Sequence, residues 1–219
     1  KFSEPIITRA ELKEVIREKT AKKTWLSDQC DRVGSKVKSQ GNSNYCWIHA
    51  PVRGMEVQYV AMGGKRLKLS GFYGGAQIKR GANQGGSGIV AVEWLAEHGT
   101  PIESMHPPMD FSYRNPSEAK VNNALRHQIK SYVECDPDNE AQIWTRVCNN
   151  KGVTVGIPAW GHEVLITFMV WDDRQDIPIF GIDNSWDVDW GTNGRGLLTG
   201  RYANFDEAGS IDMVEASAE

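Results

Sequence analysis

The 219 residues of the chain are enough for one large domain or for two small lobes. Apolar residues make up 40 % of the sequence and eight residues are tryptophan, a composition that excludes an intrinsically disordered chain. The formal net charge is −3 and no basic stripe alternates with aromatic residues, so nucleic acid is not expected as a partner. No apolar run reaches the ~20 residues that a transmembrane helix needs, so no membrane partner is expected either.

The first two thirds of the chain carry helical patterns. Thr8 and Glu11 have the spacing of a capping box, which favours a helix directly after them. Helices are predicted over residues 5–20, 46–60, 89–98, 117–131 and 141–148. The intervening segments 21–44, 61–88 and 101–116 are predicted to be irregular or loop-like because they are polar, glycine-rich or proline-rich.

After residue 150 the pattern changes to short runs of β-branched and aromatic residues, which are typical of strands. Strands are predicted over residues 153–157, 164–171, 177–182 and 197–202, and the acidic segment after Gly209 is expected to be frayed. Helices followed by strands indicate an α+β fold with two lobes that meet along a cleft.

Cys46 is the first candidate for chemistry. It lies where an irregular segment turns into a predicted helix, and the free N–H groups and positive dipole of a helix start favour a thiolate. An inert core cysteine is the alternative. The four cysteines, at positions 30, 46, 135 and 148, form no C-x-x-C pair, so no metal site is predicted, and no cofactor is predicted.

A cysteine nucleophile needs a histidine base and a group that orients it. His49 lies one turn after Cys46 and is interpreted as a packed or capped histidine. His162 follows Gly161 at the start of a predicted strand, and Asn184 lies at the end of another. Trp186 and Trp190 follow Asn184 closely. They either cover a histidine–asparagine hydrogen bond from water or are ordinary core residues after a turn.

Four motifs follow one another along the chain. Gln40 stands six residues before Cys46, and the glycine-rich stretch Asn83-Gln-Gly-Gly comes next. Gly161-His-Glu-Val then surrounds the histidine, and Asp183-Asn-Ser-Trp is followed by a second Trp at position 190. In this order the motifs resemble those of the papain family of cysteine peptidases, whose oxyanion-hole glutamine stands at the same distance before its nucleophile.

The resemblance covers about residues 36–204 and implies a papain-like two-lobed fold, with a mainly helical lobe at about 36–130 and an antiparallel β lobe at about 150–204. Residues 1–35 are then an N-terminal extension and 205–219 a C-terminal tail. The resemblance implies a catalytic set of Cys46, His162, Asn184 and Gln40, with a Cys46 thiolate paired to a His162 imidazolium. It also implies substrate-binding residues at Gly85, Gly86, Trp160, Gly161 and Trp186, and a protein or peptide substrate.

The sequence departs from the family pattern at a disulfide. The family's bridging cysteines correspond to Ser43 and Asn83, which favours a reducing, cytoplasmic compartment over secretion. The family's small residues before the nucleophile are Asn44 and Tyr45, which are expected to narrow the cleft.

Three functions therefore remain open. The first is a peptidase that works through an acyl-thioester. The second is a non-catalytic or weakly catalytic papain-like module of a larger assembly, joined through the N-terminal extension. The third is a transferase or amidase with the same thioester chemistry.

Overall fold

The computed structural model describes residues 2–216. Within them the helices are α1 Arg9–Lys22, α2 Leu26–Arg32, α3 Cys46–Ala61, α4 Gly71–Lys79, α5 Gly88–His98, α6 Glu118–Ala124 and α7 Glu140–Cys148. The strands are β1 Gln128–Glu134, β2 Val153–Ile157, β3 His162–Asp172, β4 Ile177–Asp183, β5 Arg195–Leu198 and β6 Glu207–Glu215, with a short 3-10 turn at Gly200–Ala203.

The strands form one six-stranded sheet in the order β1-β6-β2-β3-β4-β5, and every neighbouring pair is antiparallel. All five residues of β2 are buried. One apolar cluster joins β2, β3 and β4 to α1 and α7, and a second joins α3, α4 and α5 to β1 and β6. The two clusters correspond to a β lobe and a helical lobe, so the predicted α+β two-lobed fold is confirmed.

Two segments predicted to be irregular are partly helical. Within residues 21–44, α2 forms because Leu26 and Cys30 are both buried on the face that packs against α3. Within residues 61–88, α4 forms in spite of its three glycines, since Ser70 caps its first turn and the close packing of the helical lobe requires small residues there. In both cases burial overrides a weak helical pattern.

The predicted helix at 117–131 is wrong in its second half. α6 ends at Ala124, and from Gln128 the chain forms β1, which pairs with β6. The strand expected over 197–202 is β5, displaced toward the N-terminus, followed by the 3-10 turn.

The frayed tail after Gly209 is also a wrong prediction. Residues up to Glu215 belong to β6, which lies between β1 and β2 inside the sheet, with Ile211 and Val214 buried. Residues 217–219 lie outside the described residues. The sheet therefore begins before residue 150 and continues past 204, because β1 and β6 pair with each other.

Residues 1–35, predicted to be an N-terminal extension, pack into the fold as far as the structure describes them. Leu12 and Ile16 of α1 are buried against β3 and α7, and the Thr8–Glu11 capping box is present as predicted. Lys13 on the outer side of α1 forms an ion pair of 2.6 Å with Asp176 in the β3–β4 turn. The segment thus contributes to the core of the β lobe.

Candidate active site

Cys46 is the first residue of α3 and lines a cavity of about 260 Å³ together with His162. Of the four cysteines, which all lie in the described part of the chain, Cys46 alone is not fully buried. Burial raises the pKa of Cys30 and Cys135 to about 11 and that of Cys148 to about 12. Cys46 is therefore the thiol that a substrate or reagent reaches.

Two opposing effects act on the Cys46 thiol. Burial raises its pKa, while hydrogen bonds from the backbone N–H groups of Glu163, Trp47 and Cys46 itself lower it. The two N–H groups of α3 are available because Tyr45, which precedes the helix, offers no side-chain cap. Burial is the larger effect, so the net pKa is above the ordinary thiol value and the helix start alone does not produce the predicted thiolate.

His162 begins β3 after a tight turn from β2. Ile157 and His162 face each other across the two strands, and Gly161 closes the turn with a φ of +60°, a conformation that favours glycine. The Nε2–H of His162 donates to Oδ1 of Asn184 at 2.7 Å. This bond fixes the tautomer and leaves Nδ1 as the ring nitrogen that accepts a proton.

Two tryptophans enclose the imidazole of His162. The ring of Trp186 lies 4.5 Å from it between centroids, and the ring of Trp160 lies 5.1 Å away, edge to face. His162 and Asn184 are both buried, so their hydrogen bond is shielded from water. Burial lowers the pKa of His162, and the bond to Asn184 opposes this by raising it. Burial thus shifts the pKa of Cys46 and that of His162 in the directions that favour their neutral forms, and the predicted ion pair between them stays a prediction.

Asn184 follows the last residue of β4. Its backbone N–H donates to the carbonyl of Gly194 at 2.9 Å, which anchors the turn after the strand. Its side-chain Nδ2 is buried without a hydrogen-bond partner within residues 2–216, so the amide acts on His162 through Oδ1 alone.

Buried charges next to Asn184 connect β4 to α3. Asp183 accepts a hydrogen bond of 2.9 Å from Nε of Arg53 on α3, and Arg195 of β5 donates to the same carboxylate at 2.9 Å. Arg53 also pairs with Glu56, which binds Nζ of Lys38 at 2.8 Å. Since α3 begins at Cys46 and β4 leads into Asn184, this network fixes the helix that carries Cys46 relative to Asn184.

Gln40 lies beside the cavity but not in its lining. Its side-chain Nε2 donates to the Ser43 carbonyl at 2.6 Å, and its Oε1 accepts from Ser185 Oγ at 2.6 Å. Its backbone N–H also donates to the Ser185 carbonyl at 2.8 Å. Gln40 therefore joins the loop before α3 to the loop after β4, and one of its two Nε2–H bonds is committed to Ser43.

The loop 83–86 borders the cavity on the other side. Gly85 and Gly86 both line it, and a Cβ on Gly86 would lie 2.6 Å from the indole of Trp47. Asn83 Oδ1 accepts from the backbone N–H of Asn44 at 2.7 Å, and the Asn44 side chain donates to the Asn83 carbonyl at 3.1 Å. These hydrogen bonds hold the loop against the start of α3.

A family model described as papain family cysteine protease matches residues 21–168, more than half of the chain. The chain belongs to the papain family. Gln40, Cys46 and His162 fall inside the matched range, and Asn184 lies beyond its end. The resemblance seen in the sequence is thus confirmed.

Individual relatives agree with this membership. The chain is 23 % identical over 180 residues to the viral cathepsin of Heliothis zea nuclear polyhedrosis virus, covering 72 % of this chain and 47 % of that protein. The chain therefore spans about half the length of this curated relative.

Solved structures give the same fold. Procathepsin L 3 of the Tenebrio molitor larval midgut matches with a TM-score of 0.66 at 17 % identity, over 82 % of this chain and 66 % of that chain. Bromelain from Ananas comosus matches with a TM-score of 0.66 at 18 % identity, over 81 % and 93 %. At these identities the likeness establishes the fold alone.

The remaining predicted site residues of this papain-family chain lie close to His162. Gly161 lines the cavity with Cys46. Trp160 instead lines a neighbouring apolar cavity of about 280 Å³, together with Trp190, Leu198 and Tyr202. Trp186 is 39 % exposed and covers the imidazole. The neighbouring residues Trp160 and Gly161 thus line two different cavities.

Two residues near Cys46 do not face the site. His49 is buried, its Nδ1 lies 2.8 Å from the Tyr45 carbonyl, and burial together with the charge of Lys38 lowers its pKa to about 3. The interpretation of His49 as a packed histidine is confirmed. Tyr45 is fully buried among Trp47 and Phe72 of the helical lobe, so the expectation that it narrows the cleft is wrong.

Three carboxylic acids of the cavity were missed in the sequence. Glu163, Asp206 and Glu207 line it, and the available signal was a charged residue at position 163 directly before the apolar run 164–166. Asp206 and Glu207 fell at the boundary of a segment taken for a tail.

No group of three or more potential metal ligands occurs within residues 2–216. No helix among the same residues combines the length and the apolar character that crossing a membrane requires.

Proposed function

We propose that this chain is a cysteine peptidase that hydrolyses peptide bonds through Cys46, His162 and Asn184. The observation that supports this most is the shared cavity of Cys46 and His162, with the imidazole held by Asn184 at 2.7 Å. A partly exposed thiol, a base with a fixed tautomer and an orienting amide are the parts that thioester catalysis requires.

The reaction begins with a proton transfer. Nδ1 of His162 takes the proton of the Cys46 thiol as the sulfur attacks the carbonyl carbon of the peptide, which forms a tetrahedral oxyanion. The imidazolium then gives this proton to the leaving amine, the C–N bond breaks, and a thioester remains on Cys46. A water molecule, deprotonated by His162, attacks the thioester, and collapse of the second tetrahedral intermediate releases the acid and restores the thiol.

The oxyanion needs hydrogen-bond donors, of which the backbone N–H of Cys46 and the side chain of Gln40 are the proposed pair. Gln40 has a second Nε2–H besides the one committed to Ser43. One such donor is typically worth about 3–4 kcal/mol of the barrier. Gly85 and Gly86 are proposed to bind the substrate main chain in extended form, because the open face at Gly85 has no protein atom within 4 Å of a Cβ position.

The decisive experiment digests a peptide library with the wild type and with Cys46→Ala and identifies the products by mass spectrometry. We expect cleavage by the wild type alone. Cys135→Ala is the matched control, because Cys135 is buried away from the cavity and its removal should leave the cleavage pattern unchanged. Equal cleavage by Cys46→Ala would refute the proposal.

A papain-like binding module is the second candidate, and the pKa directions at Cys46 and His162 favour it because a neutral pair is a weaker nucleophile. The pH dependence of the rate at which iodoacetamide alkylates Cys46 tests whether its thiol is neutral. Since the Cys46 pKa is raised, we expect the rate to keep rising beyond about pH 8.5 in the absence of substrate. A plateau already near neutral pH would show an ion pair instead and favour the peptidase.

A transferase or amidase with the same thioester remains the third candidate. Adding an amine acceptor to the digestion and looking for its peptide adducts by mass spectrometry distinguishes it from a hydrolase.

We also propose that the protein works in a reducing compartment. The hydrogen bonds between Asn44 and Asn83 join the two loops that the family's disulfide connects, so the contact is kept without an oxidised bond. Tagging the protein in its native cells and locating it by microscopy tests this proposal.

A further inference from the structure

Two glutamates and a glycine form one row across three neighbouring strands of the sheet. Gly156 of β2 pairs with Glu163 of β3 on one side and with Glu207 of β6 on the other. Residues directly opposite each other on antiparallel strands place their side chains on the same face of the sheet. Because Gly156 has no side chain, the two glutamate side chains meet above it and hydrogen-bond with each other. A Cβ on Gly156 would lie 3.0 Å from Cγ of Glu207, so the row has room only for glycine between the two acids.

Glu207 receives its other hydrogen bonds from the start of α5. One carboxylate oxygen accepts from the hydroxyl of Ser87 at 2.5 Å, and the other accepts from the backbone N–H of Gly88 at 2.8 Å. A carboxylate at the start of a helix suits the free N–H groups there. Since donors approach both of its oxygens, Glu207 is the acceptor in its hydrogen bond with Glu163.

Glu163 is therefore the acid that supplies the proton. It is 3 % exposed, and its Oε1 receives no hydrogen bond within residues 2–216. Its carboxyl group packs against Gly88 so closely that a Cβ at that position would overlap Oε1. Burial raises the pKa of Glu163 well above the ordinary carboxylic acid value, and the charges of Glu207 and Cys46 raise it further. Two carboxylates in contact inside a protein repel each other, so Glu163 keeps its proton and donates it to the hydrogen bond with Glu207.

The backbone of the same residue contacts Cys46. The N–H of Glu163 donates a hydrogen bond to the Cys46 sulfur, which lowers the pKa of the thiol against the effect of burial. Glu163 is the second residue of β3 and directly follows His162. Its side chain thus ties the start of β3 to β6 and α5, while its N–H binds the sulfur.

We propose that Glu163 is a positioning residue for Cys46. A protonated Glu163 that donates to Glu207 holds the start of β3 in place, so that its backbone N–H stays on the sulfur when negative charge develops there. Loss of the proton puts a second negative charge beside Glu207 and close to the sulfur, and the two side chains then repel each other. This inference rests on the proposed role of Cys46 as a nucleophile and adds a residue that supports it.

The groups around Glu163 fix the sign of its response to pH. The titratable ones are Cys46 on α3, His162 on β3, and Asp206 and Glu207 where β6 begins, while α5 contributes a hydroxyl and an N–H group and β2 a glycine. A carboxyl group whose folded-state pKa is raised contributes stability that is fully present below the unfolded value of about 4.3 and is lost as the pH rises through the folded value.

The first test compares the wild type with Glu163→Gln, whose side-chain amide donates to Glu207 but has no proton to lose. Urea unfolding is measured from about pH 5 to about pH 7.5, above the unfolded pKa of a glutamate. While Glu163 is protonated in the folded state, the unfolding equilibrium constant of the wild type should rise relative to that of the variant by about tenfold per pH unit. Glu14→Gln is the matched control, because Glu14 is exposed on α1, and its ratio to the wild type should stay constant. A constant or falling ratio for Glu163→Gln would overturn the proposal.

Alkylation of Cys46 by iodoacetamide tests the positioning role without a substrate, and peptide mapping by mass spectrometry identifies the modified cysteine. Glu163→Leu keeps a similar volume but cannot donate to Glu207, so we expect the rate to fall by about tenfold or more, as for a lost hydrogen bond to a charge. Glu163→Gln should restore most of the rate that Glu163→Leu loses. A side chain that only fills space would act alike in both variants, so equal rates would overturn the proposal. If Glu163→Leu does not fold, the pH dependence of unfolding of Glu163→Gln decides.

Peptide cleavage separates this inference from the proposed function. If the wild type cleaves peptides, we expect kcat to be lower in Glu163→Leu than in Glu163→Gln with KM little changed, because Glu163 acts on the sulfur and not on substrate binding. Equal kcat values would overturn the inference and leave the peptidase proposal standing. If the wild type cleaves no peptide, the peptidase proposal fails, and the alkylation rates still decide whether Glu163 positions Cys46.

Discussion

Replacing Asp183 by asparagine removes the charge at the centre of the buried network that joins α3 to β4. The Asp183 carboxylate accepts three hydrogen bonds, from Arg53 at 2.9 Å, from Arg195 at 2.9 Å and from Thr167 at 3.0 Å. The side chains of Arg53 and Asp183 are 3 % and 1 % exposed. The substitution keeps the size of the side chain but turns one acceptor oxygen into an N–H₂ donor that faces arginine N–H groups.

The size of the loss in the free energy of unfolding depends on which carboxylates still pair with Arg53 after the substitution. Removing one partner of a buried ion pair costs roughly 3–5 kcal/mol of the free energy of unfolding. The lower end applies here, because Glu56 still lies 3.3 Å from Arg53 and offsets part of its charge. We therefore expect a loss of about 3 kcal/mol, which lowers Tm by roughly 6–12 °C for a chain of this size.

Urea unfolding followed by tryptophan fluorescence measures this loss, with m unchanged between variants as the condition for comparison. Asp173→Asn is the matched control. Asp173 is 67 % exposed and pairs with Arg17 at 2.9 Å, so its replacement should cost less than about 1 kcal/mol. If Asp183→Asn costs no more than this control, the argument that the network fixes α3 against β4 is wrong.

The pH dependence of the loss has a definite sign. Burial by itself raises the pKa of Asp183, but the charges and hydrogen bonds of Arg53 and Arg195 outweigh it and hold the pKa below the ordinary value. A lowered folded-state pKa contributes stability that is fully present above the unfolded value of about 4 and is lost as the pH falls through the folded value. The difference between wild type and variant should therefore shrink in acid below about pH 4 and stay constant near neutrality.

Two further variants test how the site is held. Asn184→Ala should lower kcat by about tenfold to a hundredfold and shift the acid limb of kcat/KM to lower pH, because the hydrogen bond from His162 to Asn184 raises the pKa of His162 and its loss lowers that pKa; an unchanged pH profile would mean that Asn184 has only a packing role. Gly86→Ala should cost about 1–3 kcal/mol in urea unfolding because its Cβ meets the indole of Trp47 at 2.6 Å. Gly85→Ala, with open space at its Cβ, should change the stability by less than about 0.5 kcal/mol, and equal losses would contradict the steric argument.

Local patterns predicted the parts of the fold that local interactions determine. The Thr8–Glu11 capping box was predicted because it depends on side chains three residues apart. The start of α3 at Cys46 was predicted because a polar segment gives way there to apolar residues at helical spacing. The strands β2, β3 and β4 were predicted because buried strands are continuous apolar runs.

Elements that depend on distant partners were missed. β1 was predicted as the end of a helix and β6 as a frayed tail, yet the two pair along almost their whole lengths. Neither strand has a strong pattern of its own, since β1 alternates irregularly in burial and β6 carries three acids. Each strand obtains its hydrogen bonds only when the other is in place, and single-sequence periodicity does not contain this information.

The sequence by itself determined which residues are candidates for the chemistry, because the spacing around Cys46, the Gly-His pair at 161 and 162 and the Asn-Ser-Trp block at 184 are local motifs whose order can be read without coordinates. Only the tertiary structure decided their environment. It brought Glu163 and Glu207, from strands that are far apart along the chain, to the same cavity as Cys46, and the burial that it imposes raises the pKa of Cys46 and lowers that of His162. The physical reason is that charge and burial depend on every chain segment within a few ångströms, whereas a motif depends only on its own neighbours.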